Sequence, residues 1–208
     1  MTTMKHVYLI RHGESQQNRR GNPLSGVNET PLSPEGIRQC EFLQTQMGQF
    51  NIKSVYASPL VRARQTAKIV FPTFEPTIVR GLIEFDYGDY DGKVAAEYHD
   101  DPIITQWLTA PGNLAFPGGG NIEEHTQAAI QALSTILRND DHDIIACVTH
   151  RTTIRLVVAR ILGLHLDHFR KVPCSNCSIT ELAFDAPDQF TVKSLSVSLK
   201  YLGMTTAA

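Results

Sequence analysis

Residues 7–13, VYLIRHG, carry the tightest constraint in this chain: an unbroken apolar run feeds directly into an arginine, a histidine and a glycine. The run has the composition of a β-strand, and a strand normally ends in turn chemistry rather than in two basic side chains. The pattern repeats. SVYA at 54–57 leads into SPLVRARQTA, which places Arg62 and Arg64 in the first turn of a helix, and IIACV at 144–148 leads into Thr149, His150 and Arg151. An arginine at a helix N-terminus opposes the helix dipole, so its presence there strengthens a site for an anion.

Other β-rich runs are TIV (77–79), SITELAF (178–184) and FTVKSLSV (190–197), with helical spacing between most of the runs. SPEG opens the first helix, with Ser33 as cap and Pro34 in the first turn, and the apolar Ile37, Phe42, Leu43 and Met47 fall roughly on one face. Further helices are expected over 60–70, 94–109, 122–138 and 152–162, with Asn121 capping the one that starts at 122. Strands alternating with helices imply an α/β fold: a three-layer sandwich with a mostly parallel central sheet and helices on both faces. The last two β runs follow one another around DAPDQ (185–189) and are expected to form a C-terminal hairpin at a sheet edge.

The length of 208 residues suits a single domain over 1–208, with an inserted helical segment at about 93–121 that ends in the turn-rich PGNLAFPGGGN. A formal net charge of -2 without long like-charge runs gives no support to nucleic-acid or polybasic membrane roles. The apolar run before Arg11 is too short for a signal peptide, and nothing approaches the roughly 18 apolar residues of a membrane helix. Four cysteines without an export signal do not read as a disulfide framework, so a cytoplasmic location is expected. CSNC at 174–177 has metal-like spacing, but zinc needs two further ligands, and Cys40 and Cys147 sit in a helix and a strand; no metal site is assigned. Trp107 fits either the core or a pocket wall.

In a parallel α/β sheet, ligands bind beyond the carboxyl ends of the strands. There the planar forks of Arg11 and Arg62 suit a phosphate, and two histidines divide into a nucleophile and a charge-stabilising donor. Gly13 lets the chain turn without a side chain crowding the anion. An acid for the departing oxygen is sought in GLIEFDYGDYDG (81–92), which offers Glu84, Asp86, Asp89 and Asp91.

These residues resemble the histidine phosphatase superfamily, also called the phosphoglycerate mutase-like family. The resemblance runs through RHGES at 11–15 with Asn18, SG at 25–26, PLSPEG at 31–36, SPLVRARQTA at 58–67, LIEFDYGDYDG at 82–92 and THRTTIR at 149–155. It implies that His12 becomes phosphorylated, that Arg11, Arg62 and His150 surround the phosphoryl group, and that Glu84 is the proton donor. Asn18, Ser25 and Gly26 match positions lining the substrate side. It further implies a metal-independent phosphomonoester hydrolase of the histidine acid type, without a cofactor, acting on small phosphorylated metabolites. For His12 to attack, its other ring N–H must be held by an acceptor such as a backbone carbonyl.

Two departures stand out. Arg151 follows the second histidine where many members carry a small residue; it either pairs at the surface or faces a distal anionic group of the substrate. PGGGN at 117–121 replaces a PGGES-like turn. Two other functions are weighed. Mutase-type phosphoryl transfer is disfavoured by the modest insertion and short tail, and a non-catalytic binding module is disfavoured because every catalytic position is present. The exposed edge of the C-terminal hairpin could pair two subunits into a homodimer, or be blunted by Lys193.

Overall fold

A computed structural model describes residues 4–18, 24–98, 100–186 and 189–198. Its centre is a six-stranded sheet in the order β3-β2-β4-β1-β5-β6. The strands are β1 (Lys5–Arg11), β2 (Ser54–Ala57), β3 (Thr77–Ile78), β4 (Ile144–Thr149), β5 (Ile179–Ala186) and β6 (Gln189–Val197). β1, β2, β3 and β4 run parallel, whereas β5 pairs antiparallel with both β1 and β6. The hairpin at the sheet edge therefore stands as expected; residues 187 and 188 of its turn lie outside the described residues, as does the tail 199–208.

Strand periodicity explains the layers. Val7 and Leu9 of β1 join Ile145 and Cys147 of β4 in one apolar cluster, while Ile10 joins Ala146 and Val148 in the other. Both faces are covered, which is why these strands read as continuous apolar runs. The first cluster packs against α4 (Ile122–Asn139) and α5 (Arg151–Ile161), the second against α1 (Pro34–Met47) and α2 (Val61–Val70). No helix of the described residues is long and apolar enough to cross a membrane.

The structure corrects two helix readings. The expected helix over 94–109 is broken into a 3-10 turn at Ala95–Glu97 and α3 (Pro102–Thr109). Pro102 bars the preceding residue from the helical region, and Asp101 instead caps the new helix by accepting from the Ile103 and Ile104 N–H groups at 2.8 and 3.2 Å. In α1 the buried face is Gly36, Cys40, Leu43 and Met47, while Ile37 and Phe42 are exposed. The stripe keeps helical spacing, but half of it is carried by a glycine and a cysteine rather than by large apolar residues.

Gly36 is buried for a steric reason. A Cβ on it would stand 2.0 Å from the Glu14 carbonyl oxygen, and one on Gly13 would stand 2.6 Å from the Gly36 carbonyl oxygen. The backbone after β1 thus lies directly on the first turn of α1. Gly13 has no left-handed φ, so close packing rather than a special turn demands glycine there. Elsewhere in a helix Gly→Ala stabilises by up to about 1 kcal/mol. Here Gly36→Ala should destabilise by about 1–3 kcal/mol, the cost of overpacking. Urea denaturation checks the sign, and a stabilised variant would contradict the packing.

Candidate active site

Four segments converge at the carboxyl end of the sheet. Arg11 closes β1 and His12 follows it; His150 follows β4 and caps α5 without a side-chain bond; Arg62 sits in the first turn of α2; Glu84 lies beyond β3. All five side chains are buried. Arg64, two residues beyond Arg62, is exposed.

The two guanidiniums are held by carbonyls. Arg11 Nη1 donates to the Cys174 carbonyl at 2.8 Å, and Arg62 donates from Nη1 to Asn28 at 2.8 Å and from Nη2 to Gly26 at 2.7 Å. Burial lowers the pKa of both, that of Arg11 to about 10, so both remain cationic at neutral pH. Among the described residues, the buried Nε atoms of Arg11 and Arg62 and Nδ1 of His150 have no hydrogen-bond partner. An unmet buried polar group costs about 1–3 kcal/mol, so donors left open on three elements form a ready receptor for an anion with several acceptor oxygens.

The histidines face each other with ring centroids 5.1 Å apart. His12 Nδ1 lies 2.6 Å from the Gly13 carbonyl, which supplies the acceptor the chemistry requires: a proton on Nδ1 leaves Nε2 bare. His150 Nε2 lies 2.7 Å from the Ser58 hydroxyl. Burial, then the charges of Arg62 and Arg11, hold the His12 pKa well below 6.5; burial, Arg62 and His12 do the same to His150. Both rings are therefore neutral at physiological pH.

Of the four candidate carboxylates, Glu84 is the buried one, and its charge bears on both Arg11 and Arg62. Its oxygens accept from the Phe85, Thr152 and Thr153 N–H groups at 2.8, 3.2 and 3.3 Å, which places it on the N-terminus of α5. Asp91 instead accepts from Gly26 N–H at 3.0 Å and Asn28 Nδ2 at 2.8 Å, fixing the loop whose carbonyls hold Arg62. Phe85 anchors the Glu84 segment by stacking on Trp107 at 6.1 Å, and Trp107 also meets Tyr87 and Phe169 at 5.3 and 5.4 Å. That assigns Trp107 to the core.

The remaining sequence candidates form the surround. Ser25 Oγ donates to Gln17 at 3.0 Å, and Asn18 Oδ1 accepts from Ser15 N–H at 3.1 Å. A Cβ on Gly26 would stand 3.0 Å from the Phe85 carbonyl oxygen, so close packing beneath Arg62 accounts for the glycine. Arg151 is half-buried, and its charge bears on both Arg11 and His12.

Sequence reasoning missed a strap. CSNC, considered only as a metal motif, wraps the backbone of the Arg-His pair: the Cys174 carbonyl holds Arg11, Asn176 Nδ2 donates to the His12 carbonyl at 3.0 Å, and Cys177 N–H donates to the Arg11 carbonyl at 3.1 Å. Ser58, Thr152 and Thr153 were also passed over, although the first lies in the quoted SPLVRARQTA block and the others beside His150.

The model of the histidine phosphatase superfamily, branch 1, matches residues 7–197. The chain belongs to this superfamily. Phosphoserine phosphatase 1 of Hydrogenobacter thermophilus is 25% identical over 181 residues, covering 84% of each chain. The 2,3-bisphosphoglycerate-dependent phosphoglycerate mutase of Thermoplasma acidophilum is 27% identical over 206 residues, covering 97% of this chain and all of that one. In fold, the chain matches a histidine-to-alanine variant of phosphoserine phosphatase from Entamoeba histolytica in complex with phosphoserine (TM-score 0.84, 24% identity, 93% of this chain and 98% of that one).

The histidines also set a pH dependence of stability. Their folded pKa values lie below the ordinary 6.5, so the unfolded chain binds protons more readily. Stability is fully present above about pH 6.5 and falls with pH below it, by up to about 1.4 kcal/mol per pH unit for each ring. Urea unfolding between about pH 7 and about pH 5 should show a shallower loss for His12→Asn than for wild type. Equal slopes would contradict a buried neutral His12.

Proposed function

We propose that this chain hydrolyses phosphate monoesters of small metabolites through a phosphohistidine formed on His12, with no metal ion in the reaction. The observation that carries the reading is the buried rim itself: a neutral imidazole with Nε2 bare, flanked by open donors of Arg11, Arg62 and His150. Hydrolysis draws on the phosphatases among the relatives, and the mutase relative keeps phosphoryl transfer as the second reading.

In the first step Nε2 of His12 attacks phosphorus in line, the P–O ester bond breaks, and Glu84 gives its proton to the departing oxygen. Arg11, Arg62 and His150 stabilise charge on the equatorial oxygens, the task that metal ions perform in kinases. In the second step Glu84 accepts a proton from water as its oxygen attacks phosphorus and the P–N bond breaks. Phosphate leaves and His12 is restored.

Asn18, Ser25 and Gly26 border the substrate in this reading, and Arg151 meets a second anionic group on it. The Arg151 assignment is supported by proximity: its charge bears on His12, Arg11 and the half-buried Arg155 and Arg170. The segment at about 93–121 is part of the same domain, since Trp107 packs on the rings that root Glu84.

A metabolite phosphate panel with p-nitrophenyl phosphate as reference tests the proposal. Wild type should release phosphate in the presence of EDTA, and His12→Ala should lose activity about a thousandfold or more. Arg151→Gly should lower kcat/KM for esters with a second anionic group about ten- to a hundredfold more than for p-nitrophenyl phosphate. Equal activity of wild type and His12→Ala would overturn the mechanism, equal losses across the panel would remove Arg151 from recognition, and isomerisation of phosphoglycerate without phosphate release would favour the mutase.

A further inference from the structure

Behind the Arg-His pair lies a feature the reaction does not use. Cys40 of α1 and Cys177 of the strap place their sulfurs 3.6 Å apart inside the second apolar cluster. Both touch the catalytic backbone. Cys177 N–H bonds the Arg11 carbonyl at 3.1 Å and reaches the His12 carbonyl at 3.4 Å, and Cys177 itself has a left-handed φ of 51°. A β-carbon on a non-glycine residue makes that conformation costly, so the strap is held in place by its surroundings. Cys40 Sγ abuts Gly13, where a Cβ would stand 2.8 Å away, and donates to Thr66 Oγ1 at 3.5 Å, the same oxygen that accepts Gly13 N–H at 3.1 Å.

We propose that Cys40 and Cys177 form an oxidisable dithiol site, which a peroxide converts to a disulfide that displaces the Arg11–Gly13 backbone and switches the enzyme off reversibly. Cys177 retains 8% exposure and Cys40 none, so Cys177 meets the oxidant first. Its sulfur attacks one peroxide oxygen, the O–O bond breaks, and the products are a sulfenic acid and water. Cys40 then attacks the Cys177 sulfur, the S–O bond breaks, and a second water leaves as the S–S bond forms. Two thiols lose two electrons and two protons, and one peroxide becomes two waters. The hydrogen bond with Cys177 lowers the Cys40 thiol pKa against the opposing effect of burial, which suits Cys40 to the second step. Cys147 and Cys174 pack with the other apolar cluster and burial raises both thiols, so neither competes.

A disulfide needs its sulfurs about 2 Å apart, so the pair must close by roughly 1.5 Å. That closure pulls on the Cys177 N–H that holds the Arg11 and His12 carbonyls, and it moves the sulfur packed against Gly13. An active site is sensitive to displacements of this order.

Full-length protein is treated with hydrogen peroxide, alkylated and mapped by peptide mass spectrometry, with p-nitrophenyl phosphate turnover read before and after dithiothreitol. The expected result is a Cys40–Cys177 linkage, a fall in kcat of tenfold or more with a smaller change in KM, and recovery on reduction. Cys40→Ser and Cys177→Ala should each keep their own starting rate through the treatment. Oxidation without that linkage, linkage with unchanged kcat, or equal inactivation of Cys40→Ser would overturn the proposal. The switch rests on His12 as nucleophile, but the linkage is read by mass alone, so a failed phosphatase assay and an absent dithiol site remain distinguishable.

Discussion

The burial of two guanidiniums at the carboxyl edge of the sheet governs the rest of the molecule. Taking a cation out of water costs on the order of several kcal/mol, and among the described residues neither Arg11 nor Arg62 is offset by a direct carboxylate pair. Carbonyls of Cys174, Gly26 and Asn28 carry that load, and each belongs to a loop that must itself be fixed. Asp91 fixes the loop of Gly26 and Asn28, while Asn176 and Cys177 tie the Cys174 strap to the β1 end. Burial first, and then the same charges, keep His12 and His150 neutral, so in the proposed mechanism one arrangement both attracts an anion and prepares the group that attacks it.

Much of this was legible in the sequence because it lies on strand ends. VYLI, SVYA and IIACV became β1, β2 and β4, and the basic residues after them meet at one rim, since parallel strands put all their carboxyl ends on the same side. What stayed hidden depends on distance through space. CSNC carried no helical or strand pattern, and its role as a strap arises only because β5 pairs beside β1 and delivers residues 174–178 to that strand's end. The resemblance already singled out Glu84 from its neighbouring aspartates; what the sequence did not carry is how it is held, by the aromatic packing of Phe85 on Trp107 and at the N-terminus of α5. Gly13 has a second demand on it that the sequence did not carry, the close approach of its backbone to α1.

Tight packing behind His12, the proposed nucleophile, is what would let a pair of cysteines matter at this spot. Gly13, Gly36, Thr66, Cys40 and Cys177 form a close stack beneath His12, so a change at the sulfurs has a short path to the imidazole. Interiors packed at near-crystalline density transmit displacement rather than absorb it.

The proposed chemistry turns on His12 as the nucleophile that takes up the phosphoryl group, and one measurement reaches that directly. Glu84→Gln, which should still load the phosphoryl group from p-nitrophenyl phosphate but release it slowly, is quenched in alkali and digested, and the phosphorylated peptide is sequenced by mass spectrometry. The account predicts a single phosphoryl group on the peptide containing His12. Nitrophenol release with no phosphorylated peptide, or with the group on any other residue, would contradict it.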